Sequence, residues 1–292
     1  MSQVYQIVTD RIVSLLEQGT IPWNRPWSGG PTYERPANLK TGHVYRGINV
    51  FLLAAMSFSS RYWLSFKQTK AMNGHVRRGE KSTPIIFWKR IEVEDKRTGE
   101  TKETPMLRYY NVFNLDQIDG IEAPDAVEVP DREFTPITRA QQVVDNMPNP
   151  PRIEHIQPRA FYRSKDDLVN MPRPELFKTE ELYYSTAFHE LAHSTGHEKR
   201  LNRRPSDVPR FFGDREYSRE ELTAEMAASF LCAEAGISPG VIENQAAYIQ
   251  NWISVLRGTP KLVIQAASSA QAAADYILNV QKTSKEDSHE TA

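Results

Sequence analysis

His189-Glu190-Leu191-Ala192-His193 is the stretch that decides how the chain is read. Two histidines four apart lie on one face of a helix, about one turn from each other, so both imidazoles can reach one cation. Glu190 follows the first of them and projects toward the open side of that cation, where it can take a proton from a water. A metal ion brings the pKa of a bound water to about 7, which is the chemistry of amide hydrolysis. Histidines that fall on a helix by chance are the ordinary alternative. The flanks predict a helix over 179–195. Thr179 can cap it, and Glu180 and Glu181 suit its first turn. Tyr183, Tyr184, Ala187, Phe188, Leu191 and Ala192 supply buried faces, and Gly196 can end it.

A second stretch, Arg219-Glu220-Glu221-Leu222-Thr223-Ala224-Glu225-Met226-Ala227-Ala228, lies in a helix predicted over 218–235. Glu221 comes 28 residues after His193 (221 − 193), and Glu225 stands one turn further on. Either could be the third ligand. Glu221 is preferred, which leaves Glu225 to accept a hydrogen bond from a liganding imidazole and fix its tautomer. A solvated acidic face is the alternative. Leu222, Met226, Ala227, Phe230 and Leu231 argue against it, because a helix that apolar is buried and buried carboxylates need a cation. The expected cofactor is one divalent metal ion, with zinc first and manganese second. His197 lies beyond Gly196 and is given a supporting or helix-end role. His43, His75, His155 and His289 have no motif around them. Asp167–Pro172 is a candidate sheet edge against which an extended peptide could be laid as an added strand.

Outward from these helices, the expected class is α+β. The 292 residues are long enough for two domains. Apolar spacing over 3–19 predicts a helix, and 47–57 a second. Residues 84–94 and 105–114 predict two strands of a hairpin, joined by the charged turn 95–100. Residues 126–136 are acidic and proline-bearing and are expected to link a first domain, 1–125, to a second, 137–281. The second is expected to be mainly helical, with a small antiparallel sheet from short strands around 152–156, 160–163 and 166–170. Its further helices fall near 138–146, 240–256 and 259–281. A polar tail, 282–292, is expected to be disordered. The single cysteine, Cys232, lies in an apolar run and implies a reducing compartment. The N-terminus lacks the features of a signal peptide, and no apolar run nears the roughly 18 residues of a membrane span. The expected location is the cytoplasm.

Charge is unevenly spread. Residues 11–90 hold 13 Lys/Arg against 3 Asp/Glu, a net +10, in a chain whose total is −1. Aromatic rings are interleaved with these bases. Rings beside phosphate-binding cations are what single-stranded nucleic acid requires. The candidate contacts are Trp23, Arg25, Trp27, Tyr45, Arg46, Lys67, Lys70, Arg77, Arg78, Lys81 and Trp88. An ordinary core with a basic surface is the competing account, and it must claim many of the rings.

Six stretches carry a resemblance over residues 3–280. They are Trp23-Asn24-Arg25-Pro26-Trp27, Tyr45-Arg46-Gly47-Ile48-Asn49, Gly79-Glu80-Lys81, Tyr110-Asn111-Val112-Phe113-Asn114, His189 through His197, and Glu220 through Glu225. Together they resemble the ArdC antirestriction proteins of conjugative plasmids and the N-terminal region of TraC-type primases. The resemblance implies an N-terminal single-stranded-DNA-binding domain, a C-terminal zincin-like metallopeptidase domain, and protection of incoming plasmid DNA from host restriction. It places the ligand glutamate at Glu221. At the position of Glu225 the zincin pattern has Asp or Asn, so this chain departs from it there. The expected partners are single-stranded DNA and a protein substrate, with restriction and other DNA-bound host proteins as candidates, and no membrane. Two further readings stand beside this one. In the first, a non-catalytic protein coats single strands and its metal site is structural or vestigial; an intact Glu190 speaks against it. The second is a metal-dependent nuclease, which two histidines and one glutamate suit less well than amide hydrolysis.

Overall fold

The computed structural model describes residues 3–24, 35–56, 58–94, 101–124, 136–203, 215–237 and 245–280. The predicted turn 95–100, residues 126–135 of the predicted linker and the tail 282–292 lie outside them.

Helix α1 (Gln3–Glu17) buries Val4, Val8, Ile12 and Leu16, spaced four apart along one face. A 3-10 turn (Pro22–Asn24) and strand β1 (Ala37–Asn38) follow. Next come α2 (Ile48–Ala54), β2 (Tyr62–Ser65), α3 (Phe66–Ala71) and β3 (His75–Val76). The predicted hairpin is formed by β4 (Thr83–Glu94) and β5 (Thr101–Asn114), paired antiparallel from Thr83↔Val112 to Glu94↔Thr101. The sheet order is β1-β2-β5-β4. A two-stranded sheet joins β3 to β6 (Ile118–Asp119).

The second half opens with α4 (Pro136–Asp145), so the last residue of the predicted linker is already helical. Strands β7 (Arg152–Glu154), β8 (Phe161–Arg163) and β9 (Leu168–Asn170) form a sheet of order β7-β9-β8. Two expectations change here. The sheet is mixed rather than wholly antiparallel, because β7 runs parallel to β9. The proposed substrate edge at Asp167–Pro172 contains the central strand: β9 is paired on both sides, and all three of its residues are buried. Helices α5 (Glu180–Ser194), α6 (Arg215–Ala235), α7 (Gln245–Gly258) and α8 (Leu262–Ile277) complete the fold. Thr179 caps α5, its side chain accepting from the Leu182 N–H.

One main core runs through both halves. It joins α1, Ile48, Val50 and Phe51 of α2, Ile86 and Leu107 of the hairpin, and the inner faces of α4 to α8. Phe51 stacks on Phe230 of α6 at 4.8 Å. Helix α1 packs on α7, so the first element of the basic half is part of the body that carries the metal helices. Among the described residues no helix is long and apolar enough to cross a membrane.

Candidate metal centre

Helices α5 and α6 pack against each other and set His189 and His193 opposite Glu221. The two Nε2 atoms are 3.0 Å apart. His193 Nε2 is 3.4 Å from Glu221 Oε1, and His189 Nε2 is 3.6 Å from Glu221 Oε2. Ligands at 2.0–2.1 Å on tetrahedral directions stand about 3.4 Å from one another, so these three separations fit one cation. Burial opposes protonation of His189. The Glu221 hydrogen bond and the charges of Glu190, Glu221 and Glu225 outweigh it, and its pKa is raised. Glu190 is buried beside the site, within electrostatic reach of His189.

Among the carboxylates, Glu220 is the one on the back of His193. Its Oε1 is 3.3 Å from Nδ1, and both side chains are buried. Arg203 grips the same carboxylate, with Nη2 3.0 Å from Oε1 and Nε 3.3 Å from Oε2. Arg203 Nη2 also donates to the Ala192 carbonyl at 2.7 Å, and Nη1 to the Thr195 hydroxyl. This fixes the end of α5 to the start of α6. Sequence spacing assigned the tautomer-fixing role to Glu225, but Glu225 is engaged elsewhere. Its Oε2 accepts from Trp23 Nε1 at 3.0 Å and from the Tyr248 hydroxyl. Burial pushes its carboxyl up to about 7, against the pull of Tyr248, His189 and Trp23. The doubled Glu220-Glu221 was a legible signal: neighbours on a helix point about 100° apart, so a pair can reach both sides of one imidazole. Nothing in sequence marked Arg203 or Tyr248.

His197 lies past the helix end, where its Nδ1 accepts from the Lys199 N–H at 3.2 Å. Arg200 ties that end to the β7-β9-β8 sheet. It donates to the Ser194 carbonyl at 2.7 Å and pairs with Asp167.

The candidate nucleic-acid residues separate into five groups. Arg25 and Trp27 lie outside the described residues. Trp23 and Tyr45 are 3% and 5% exposed and cannot stack on a base, because the core claimed their rings. Arg46 is committed to an ion pair with Asp275 of α8, and the next residue, Gly47, donates its N–H to Gln271 at 3.1 Å. Tyr45-Arg46-Gly47-Ile48-Asn49 therefore docks the first half on α8 and on β4. Arg77 is exposed but bonded to Glu80, Asp119 and the Asp116 carbonyl. Lys67, Lys70, Arg78, Lys81 and Trp88 are exposed. Trp88 is 48% exposed, and Phe66, Tyr109 and Tyr110 are similarly open. Lys70 Nζ sits 4.9 Å over the Phe66 ring, and Tyr110 stacks on Phe87 at 4.3 Å. The register Ile86↔Tyr109, Trp88↔Leu107 and Ile85↔Tyr110 puts Trp88 and Tyr109 on one face of the hairpin and Tyr110, with Phe87, on the other.

Residues 2–113 match a family described as the N-terminal domain of anti-restriction factor ArdC, and residues 139–269 match one described as a zincin-like metallopeptidase. A protein named DNA primase TraC, from Escherichia coli, is 36% identical over 94% of this chain, which spans only 20% of that relative's length. The metal-free crystal structure of the antirestriction protein ArdC from plasmid R388 is 36% identical, with a TM-score of 0.73. It covers 95% of this chain, and 99% of that chain is matched. The Mn(II)-bound structure of the same protein is 35% identical over 94% and 97% of the two chains, also with a TM-score of 0.73.

Proposed function

This chain belongs to the ArdC family of antirestriction proteins, and from that premise we propose that it binds single-stranded DNA and hydrolyses peptide bonds at a divalent metal centre, protecting incoming plasmid DNA from host restriction. The observation that carries the hydrolytic reading is the ligand triangle of 3.0, 3.4 and 3.6 Å with Glu190 buried beside it. His189, His193 and Glu221 hold the cation, zinc by preference and manganese as the alternative. When bound, the cation supplies Lewis acidity at the scissile carbonyl. Glu190 takes a proton from the attacking water as its oxygen adds to the carbonyl carbon. It then gives that proton to the amine as the C–N bond breaks. Glu220, held by Arg203, keeps the Nδ1–H of His193 occupied so that its Nε2 faces the cation. A purely structural site has no use for a general base at Glu190. In addition, the fold matches the metal-free and Mn(II)-bound relatives equally well, as expected where the cation does not hold the fold together.

The exposed rings of Trp88, Tyr109 and Phe66, with Lys70 over Phe66 and exposed Lys67, Arg78 and Lys81, support the DNA reading. The substrate is proposed to be a protein met on DNA, restriction enzymes included. The decisive variant is Glu190→Gln in the full chain. It is expected to bind Zn(II) or Mn(II) as the wild type does, to lose cleavage of labelled casein, and to lose protection of an unmodified plasmid entering a restricting host. Undiminished protection would sink a required peptidase and leave the strand-coating role in its place.

A further inference from the structure

Glu225 stands one turn beyond Glu221 on α6. Its Oε2 is held by two donors from outside the metal helices. The first is Trp23, from the 3-10 turn that ends the N-terminal helical segment. Trp23 Nε1 lies 3.0 Å from Oε2 and 2.8 Å from the Tyr248 oxygen. The second is the Tyr248 hydroxyl of α7. An indole N–H can only donate, so a Trp buried with that group aimed at a carboxylate is a directional clamp. The clamp is itself braced. Trp252 meets Trp23 edge-on at 6.1 Å and Tyr248 at 6.2 Å, and the turn Pro22–Asn24 packs on α6.

We propose that Trp23 and Tyr248 are positioning residues of the metal centre, which fix Glu225 one turn beyond the ligand Glu221 on α6 and thereby strengthen cation binding from outside the ligand set. The inference rests on the proposed cation site. It makes that site a joint product of both halves of the chain, since one of the two clamps is contributed by residue 23.

The test uses the metal-free full chain and competition with a chromophoric chelator for Zn(II) and Mn(II). Trp23→Phe keeps a ring against Trp252 but removes the donor, and Tyr248→Phe removes the hydroxyl alone. Each is expected to weaken cation affinity about tenfold, the lower end of what supporting partners of metal ligands contribute. Glu225→Gln is expected to weaken it as well, and Trp23→Phe combined with Glu225→Gln to be no weaker than Glu225→Gln alone. A packing defect would instead add to the Glu225→Gln loss. Wild-type affinity in Tyr248→Phe and Trp23→Phe, or full additivity in the double variant, overturns the proposal while the cation site stands. If Trp23→Phe does not fold, Tyr248→Phe with its own Glu225→Gln double variant decides. His193→Ala is the control: if it binds the cations as tightly as the wild type, the metal reading itself has failed and the clamp fails with it.

Discussion

His193 presents its Nδ1 to Glu220 at 3.3 Å, while Arg203 closes on the same carboxylate from the other side at 3.0 Å. Charge therefore runs in a line from guanidinium to carboxylate to imidazole, and the imidazole's remaining nitrogen points into the ligand triangle. Glu220→Ala removes the middle of that line. It is expected to cost about 1–3 kcal/mol of stability, because His193 and the half-buried Arg203 both lose the carboxylate they share. Glu220→Gln keeps an acceptor for the Nδ1–H but loses the ion pair. It is expected to fold while binding Zn(II) or Mn(II) about 10–100-fold more weakly. Thermal melts of the metal-free protein and chelator competition measure the two effects separately. Equal metal affinity in wild type and Glu220→Gln would remove Glu220 from the site.

Glu225 gives the metal-free protein a pH dependence. Burial holds its carboxyl at about 7, above the ordinary 4.5. Below pH 4.5 the group is protonated in both folded and unfolded chains and contributes no difference. Between 4.5 and 7 the unfolded chain releases the proton while the folded chain keeps it, so stability falls as pH rises through this window. Above 7 both are ionised and the loss is complete, on the order of 3 kcal/mol at 1.36 kcal/mol per pKa unit. Glu225→Gln should flatten this part of the profile in urea melts of the metal-free chain. A wild-type profile that rises between pH 4.5 and 7 and is unchanged by Glu225→Gln would show that the carboxyl is not held protonated.

How much of this was legible beforehand depends on how local each signal is. The Thr179 cap, the α5 and α6 spans and the β4–β5 hairpin follow from periodicity and end signals within a few residues, and the structure has them. Spacing likewise placed His189, His193 and Glu221 on facing helices. What spacing could not place was anything set by long-range contact. Trp23 lies 202 residues from Glu225 and Arg46 lies 229 from Asp275, so neither partner was visible locally. Burial erased two of the proposed stacking rings for a related reason: a Trp or Tyr in a basic segment looks the same whether it faces a base or a core. The sheet edge at 167–172 failed because strand order within β7-β9-β8 is a matter of tertiary pairing.

The DNA surface separates into stacking and charge. Trp88→Ala and Tyr109→Ala are each expected to weaken single-stranded DNA binding by about 1–3 kcal/mol with little change in salt dependence. Replacing Lys67, Lys70, Arg78 and Lys81 by Ala should instead flatten the plot of log affinity against log salt, by about 0.7 for each phosphate left without its cation. Arg77→Ala should flatten it less than Arg78→Ala, since Arg77 is occupied by Glu80 and Asp119. Fluorescence anisotropy with a labelled oligonucleotide at several salt concentrations reads both effects. Loss of binding in Tyr45→Phe, whose ring is buried, would mean that the interface lies elsewhere.

Asn49 tests whether the hairpin is held by α2. Its Nδ2 donates to the Ile86 carbonyl at 2.6 Å, and its Oδ1 accepts the Ile86 N–H at 2.8 Å. The amide thus stands in for a neighbouring strand on the outer edge of β4. Asn49→Ala leaves both backbone groups of a buried residue without partners, at about 1–3 kcal/mol each. Asn49→Asp is the more telling change. Ionised, it can accept from the N–H but sets a negative oxygen against the carbonyl; protonated, it can donate again. Its stability deficit should therefore be large at neutral pH and shrink as pH falls below about 4, where Asp takes up a proton. Trp88 lies two residues along the same strand, so Asn49→Asp should also weaken DNA binding at neutral pH in parallel with its melting temperature. A deficit that does not change with pH would mean that the amide contributes packing alone and that β4 keeps its place without the paired hydrogen bonds.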